Sequence, residues 1–173
     1  MIKRLFLLLS ILLVLILPMS ILKISAKDDN YPIFKLNVLG EKPIGTLIIK
    51  KINLKEDLYK IDSSKNNIEE HVTILKESIS PNQDNSTFLL AAHSGNGKTA
   101  YFEDLDELQT NDKIELIYEN KKYDYYVKDT FEEKKDGYIN INKEASKQLV
   151  LTTCSPNRDG YQLIVNCIEK ESN

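Results

Sequence analysis

The sequence predicts a mostly β domain, a closed barrel or a sandwich with crossovers, preceded by one N-terminal transmembrane helix. Three observations carry this. At least six segments read as strands, helical pattern is confined to short pieces between them, and nine tyrosines accompany many Ile and Val residues. At 173 residues, with 28% charged and 42% hydrophobic residues, the chain has the size and composition of one globular domain with one core. Six glycines, five prolines and no long Ser, Gln or Pro tract argue against low-complexity disorder.

From Leu5 to Leu22 the chain carries no charge and is almost wholly apolar, close to the length that spans a bilayer core. Lys3 and Arg4 before it, and the polar shift at Lys27-Asp28-Asp29-Asn30 after it, fit insertion with the N-terminus inside the cell and the domain outside. A cleaved signal peptide is the closest competitor. Its cleavage sequence would be Ile24-Ser25-Ala26, with a large residue where a small one is wanted, so a retained single-pass anchor over residues 1–26 is the expectation. Residues 27–42, punctuated by Pro32 and Gly40, read as a tether, and the domain is expected over 43–170.

Within it, Gly45 to Ile52 is β-rich, and further strands are expected at Thr87 to Ala92, Lys113 to Tyr118, Lys122 to Phe131, Gln148 to Thr153 and Gln162 to Glu169. The central pair is the clearest. Ile114, Leu116 and Tyr118 alternate with polar neighbours, Glu119-Asn120 turns the chain, and Tyr123, Tyr125 and Val127 resume the alternation, which predicts a hairpin. Helical pattern is expected from Asn67 to Lys76, around Tyr101 to Leu108, and from Lys143 to Gln148. Asp104, Asp106 and Glu107 then form a solvated helix face rather than an ion site.

Charge narrows the partners. Without Lys3, Arg4 and Lys23 the chain holds 20 basic against 26 acidic residues. Such a domain, lacking a basic stripe, repels phosphate backbones, so nucleic acid is excluded as a partner.

Histidine occurs only at 71 and 93, and cysteine only at 154 and 167. His93 follows the apolar run Phe88-Leu89-Leu90-Ala91-Ala92 and precedes Ser94-Gly95-Asn96-Gly97, a strand end beside a flexible loop. Cys154 likewise ends Leu149-Val150-Leu151-Thr152-Thr153 and enters the turn-rich Ser155 to Gly160. Cys167 lies inside a strand, where cysteine usually acts as a small buried hydrophobe, and His71 sits in a polar segment and is expected to be solvated. A disulfide between the two cysteines would close only a short loop and constrain little of the unfolded chain. A thiol is a useful nucleophile as thiolate, and a nearby imidazolium both favours that form and returns a proton to a leaving amine. One Cys and one His suffice for this chemistry, without a cofactor. They can also be two unrelated core residues, and context decides between the readings.

The context is an ordered series: Gly45-Thr46-Leu47-Ile48-Ile49, Leu89-Leu90-Ala91-Ala92-His93-Ser94, Phe102-Glu103-Asp104-Leu105-Asp106-Glu107-Leu108, Asn111-Asp112-Lys113-Ile114 and Leu149-Val150-Leu151-Thr152-Thr153-Cys154. It resembles the sortase family from Pro43 to Glu169. The apolar strand ending in His93 and the Leu-x-Leu-x-Thr-Cys strand ending at Cys154, about sixty residues later, carry most of the likeness.

The resemblance implies a closed eight-stranded β-barrel with short connecting helices, a membrane anchor, and transpeptidation of surface proteins in a Gram-positive-type envelope. In such enzymes the cysteine attacks the carbonyl between Thr and Gly of a C-terminal sorting signal. An amine, from a cell-wall precursor or a pilin lysine, then resolves the thioester. Cys154 matches the nucleophile and His93 the acid/base residue. The family's third residue is an arginine in the pattern Arg-Leu-x-Val, whereas this chain reads Gln162-Leu163-Ile164-Val165. Gln162 holds that position as a neutral donor, and Arg158, four residues earlier, is the alternative cation. Two other functions stay open: a catalytically weakened sortase-like domain that binds sorting peptides, and a cysteine hydrolase in which water resolves the thioester. The absence of an Asp-Pro-aromatic motif in the tether and of a second hydrophobic segment favours surface-protein anchoring over pilus assembly.

Overall fold

Alternation of apolar and polar residues sets the inner face of the strands seen in the computed structural model, which describes residues 40–141, 143 and 146–170. β1 (Gly45–Ile49) buries Leu47 and Ile49. β5 (Lys113–Tyr118) buries Ile114, Leu116 and Tyr118, and β6 (Lys121–Lys134) buries Tyr123, Tyr125 and Val127 on the same side. Glu119 and Asn120 join these two strands with φ of 48° and 64°, the left-handed pair that a two-residue hairpin turn requires.

The remaining strands are β2 (Leu54–Leu58), β3 (Thr73–Ile74), β4 (Ser86–Ala91), β7 (Lys147–Cys154) and β8 (Tyr161–Glu169). They form one eight-stranded sheet in the order β2-β1-β5-β6-β8-β7-β4-β3, wrapped around the main core. β2 and β3 are its two ends and no ladder joins them, so the expected closed barrel is a nearly closed one. Every pairing is antiparallel except β4 with β7.

β4 and β7 are buried on both faces, which is why they read as continuous apolar runs rather than as alternating ones. Phe88, Leu90, Leu149 and Leu151 enter the main core together with Val165 and Cys167 of β8. Leu89, Val150 and Ile164 point the other way and are covered by Leu75, Phe131, Ile139 and Ile141. A β-bulge lies between Val127 and Asp129 of β6. Before it Val127 pairs with the inward Cys167; after it Phe131 pairs with the outward Ile164 and Glu133 with Gln162. The extra residue thus moves the odd-numbered side chains of β6 from the inner to the outer face.

The helical expectations need correction. Asn67 to Lys76 is a turn followed by β3. Asn66 accepts from the Ile74 N–H (2.8 Å) and donates to its carbonyl (2.9 Å), and the Asn67 side chain accepts from the Glu69 N–H (3.1 Å), bonds that compete with a helical ladder. His71 is accordingly not on a solvated helix. It is half-buried, its ring 4.8 Å from that of Tyr59. Tyr101 to Leu108 holds only the short 3-10 helix Leu105–Glu107, and Lys147 and Gln148 already belong to β7. The first strand stops at Ile49, because Lys50–Ile52 is a 3-10 helix closed by left-handed Asn53 (φ 51°), which turns the chain into β2. Leu5 to Leu22 and residues 27–39 of the tether lie outside the described residues. Among those described, no helix is long and apolar enough to cross a membrane.

Candidate active site

Parallel pairing of β4 with β7 decides what meets at the mouth of the sheet. Leu90 sits opposite Leu151 and Ala91 opposite Thr152, so the next residues of the two strands leave the sheet at the same end. Leu89 and Ala91 alternate with the inward Phe88 and Leu90, and His93 continues that outer row. Cys154 continues the outer row of Val150 and Thr152. Continued two residues past Ala91 and Thr152, the register brings His93 and Cys154 to the same mouth of the sheet. Side-chain bonds tie the two ends together: Thr153 Oγ1 donates to the Ala92 carbonyl (2.8 Å) and Ser94 Oγ to the Cys154 carbonyl (3.1 Å).

His93 and Cys154 line one cleft of about 310 Å³ with Thr152, Lys135, Tyr138 and Gln162. A larger cavity of about 580 Å³ lies among Lys42, Ile44, Lys60 and Glu119 and contains neither the thiols nor an imidazole, so the chemistry belongs to the smaller space. Cys154 is exposed and free. The His93 imidazole is half-buried, with Nε2 3.2 Å from Glu69 Oε1, and its carbonyl accepts from the Phe102 N–H (3.0 Å). After Cys154, Ser155 Oγ accepts from the N–H groups of Asn157 (3.0 Å) and Arg158 (2.9 Å) and donates to Glu132 (2.6 Å), which shapes the loop into β8.

Cys167 is also free, fully buried and on the inner face opposite Val127 and Leu149. Burial, reinforced by the Asp129 charge, pushes its thiol far above the usual range, so it is not a nucleophile near neutral pH.

The two residues weighed for a third role are placed differently from Cys154 and His93. Gln162 lies directly opposite Cys154 and lines the cleft. Its Nε2 donates to Glu133 Oε1 (3.0 Å) and to the Tyr138 carbonyl (2.7 Å), which uses both hydrogens of the amide and leaves none for a substrate carbonyl. Arg158 is not among the residues lining the cleft. Its guanidinium carbon lies 3.5 Å from the centre of the Tyr161 ring, a stacked cation–π contact on the exposed loop.

A sortase-domain family model matches residues 47–169. The chain belongs to the sortase family. Among solved structures, this sortase is similar to sortase A from Corynebacterium diphtheriae in a lid mutant (18% identity, 80% of this chain and 76% of that one, TM-score 0.66). It is similar also to sortase C1 from Streptococcus agalactiae (26% identity, 76% and 69%, TM-score 0.64) and to sortase C-1 from Actinomyces oris (18% identity, 76% and 76%, TM-score 0.63). Comparison with curated protein sequences returns no match. Sortases are in general cysteine transpeptidases, which is the chemistry a thiol and an imidazole lining one cleft support.

Sequence reasoning missed two polar neighbours of the pair. Glu69 sits in the turn misread as a helix. Lys135 follows β6, and its Nζ donates to Cys154 Sγ at 3.3 Å. Neither lies in a motif. Only the register Glu133–Gln162–Cys154 across β6, β8 and β7 brings residue 135 to the thiol.

Proposed function

We propose that this sortase is a transpeptidase held outside a bacterial membrane by Leu5 to Leu22, acting through a Cys154 thioester. One observation carries the reading: the parallel β4–β7 pair ends in an imidazole and an exposed thiol that line the same cleft. The Cys154 thiolate attacks the Thr–Gly carbonyl of a sorting signal, forming the C–S bond. The C–N bond then breaks, and the departing glycine amine takes its proton from the His93 imidazolium. An amine of a cell-wall precursor or a pilin lysine attacks the thioester, His93 accepts its proton, and the new amide leaves Cys154 as thiolate.

Incubation with sorting-signal peptides tests this by mass spectrometry. A Cys154-linked acyl group is expected for the full chain. It should be absent from Cys154→Ala and reduced by roughly a hundredfold or more in His93→Ala. An added amine should discharge the adduct faster than water does; discharge by water alone would make the enzyme a hydrolase. A second reading, a peptide-binding domain without turnover, is favoured by the engaged amide of Gln162. Peptide binding without any adduct would establish it and sink the first.

A further inference from the structure

We infer that Lys135 is the catalytic cation of this site, pairing with the negative charge of the Cys154 sulfur and then with the oxyanion that forms beside it. The inference rests on the transpeptidase reading for the second of these roles and on geometry alone for the first. Lys135 Nζ donates to Cys154 Sγ at 3.3 Å. Among the described residues that line the cleft, it is the one Lys or Arg.

Its position follows from the sheet. Glu133, Gln162 and Cys154 form one outward-facing row across β6, β8 and β7, because the bulge between Val127 and Asp129 has turned the odd residues of β6 outward. Lys135, two residues beyond Glu133, continues that row past the strand end. The segment carrying it is pinned. The Lys135 N–H donates to the Gly160 carbonyl (2.9 Å), the Asp136 N–H to the Lys134 carbonyl (3.0 Å), and Gln162 holds Glu133 on one side and the Tyr138 carbonyl on the other. Gln162 is therefore a positioning residue for Lys135.

The nearby acids have other partners: Glu132 accepts from Ser155 and Asn157, and Glu133 from Gln162 and Asn140. During attack the sulfur electron pair becomes the C–S bond and the carbonyl π pair moves to oxygen. Lys135 gives up no proton; its charge stays beside the atom group on which the negative charge moves.

The test needs no sorting signal. The full chain is alkylated at neutral pH with iodoacetamide, a neutral probe, and the adduct is located by peptide mass spectrometry. Buried Cys167 stays unreacted, and Cys154→Ser serves as the blank. Lys135→Met keeps most of the length of the side chain and removes its charge, and it should slow Cys154 alkylation roughly tenfold, while Lys135→Arg restores most of the rate. Lys134→Met, one residue away and on the other face, should match wild type. Raising the ionic strength from about 0.01 M to about 1 M, which shortens the screening length from about 30 Å to about 3 Å, should slow wild type more than it slows Lys135→Met. Equal rates and equal salt response in wild type and Lys135→Met would overturn the proposal. Slowed alkylation in a chain that acylates with no sorting signal would uphold Lys135 and defeat the transpeptidase reading instead.

Discussion

Replacing Gln162 with Ala separates two roles that one position can play. The amide makes two hydrogen bonds, one to the charged Glu133 and one to the Tyr138 carbonyl. Glu133 keeps its bond to Asn140, and Tyr138 is exposed enough for water to reach its carbonyl, so the loss should fall near the low end for a buried donor, about 1–2 kcal/mol in urea denaturation. More telling is where the loss appears. Amide hydrogen exchange should speed up in residues 135–140, and iodoacetamide alkylation of Cys154 should slow, because the segment carrying Lys135 is no longer clamped. Gln162→Arg should preserve both, since a guanidinium can pair with Glu133 and still reach the Tyr138 carbonyl. The reasoning fails if Gln162→Ala loses a hundredfold or more in acylation by a sorting peptide while loop exchange and alkylation stay at wild-type values. That result would make Gln162 a direct donor to the substrate.

Cys167→Ala removes one buried sulfur from the main core and should cost about 1 kcal/mol in denaturant titration with acyl-enzyme formation intact; inactivity equal to that of Cys154→Ala would reverse the assignment of the nucleophile. Glu115 is held at about 2, below its ordinary 4.5, by hydrogen bonds from Lys122 and then Lys50. Because the folded value is the lower one, its contribution is present above pH 4.5 and is lost as pH falls toward 2. Glu115→Gln should flatten the melting temperature over that window, and an unchanged slope would refute it. If Leu5 to Leu22 is a retained anchor, protease added to wall-stripped cells should digest the domain, whereas a protected domain, or a processed form in the medium, would refute the anchor.

How much could be read from residues alone follows from how each strand is buried. β5 lies on one face of the core, so its alternation marks Lys113–Tyr118 end to end. β4 and β7 are covered on both faces, and their apolar runs point to the two strand ends that carry His93 and Cys154. β2 was invisible because Lys55, Glu56 and Asp57 fill a strand at the sheet edge, where charge is tolerated and protects against unwanted pairing. β3 is two residues long, and the polar turn before it mimics a helical period. Lys135 was illegible for a different reason. Its face depends on a one-residue bulge seven positions upstream, and nothing in the local sequence announces that shift.

The single parallel pairing explains why these parts occur together. In an antiparallel pair the C-terminal ends of the two strands lie at opposite ends of the sheet, so residues that follow two adjacent strands can share one mouth only where those strands are parallel. A parallel pair demands a long crossover, and here it runs from His93 through β5 and β6 to Lys147. The same connection brings Ile139 and Ile141 over Leu89, Val150 and Ile164, covering the outer face beside the cleft, and it passes Lys135 within 3.3 Å of the thiol. The chain that makes the His93–Cys154 meeting possible thus also builds the wall and the charge around it, so lengthening the segment between Glu133 and Tyr138 should disturb thiol reactivity before it disturbs the barrel.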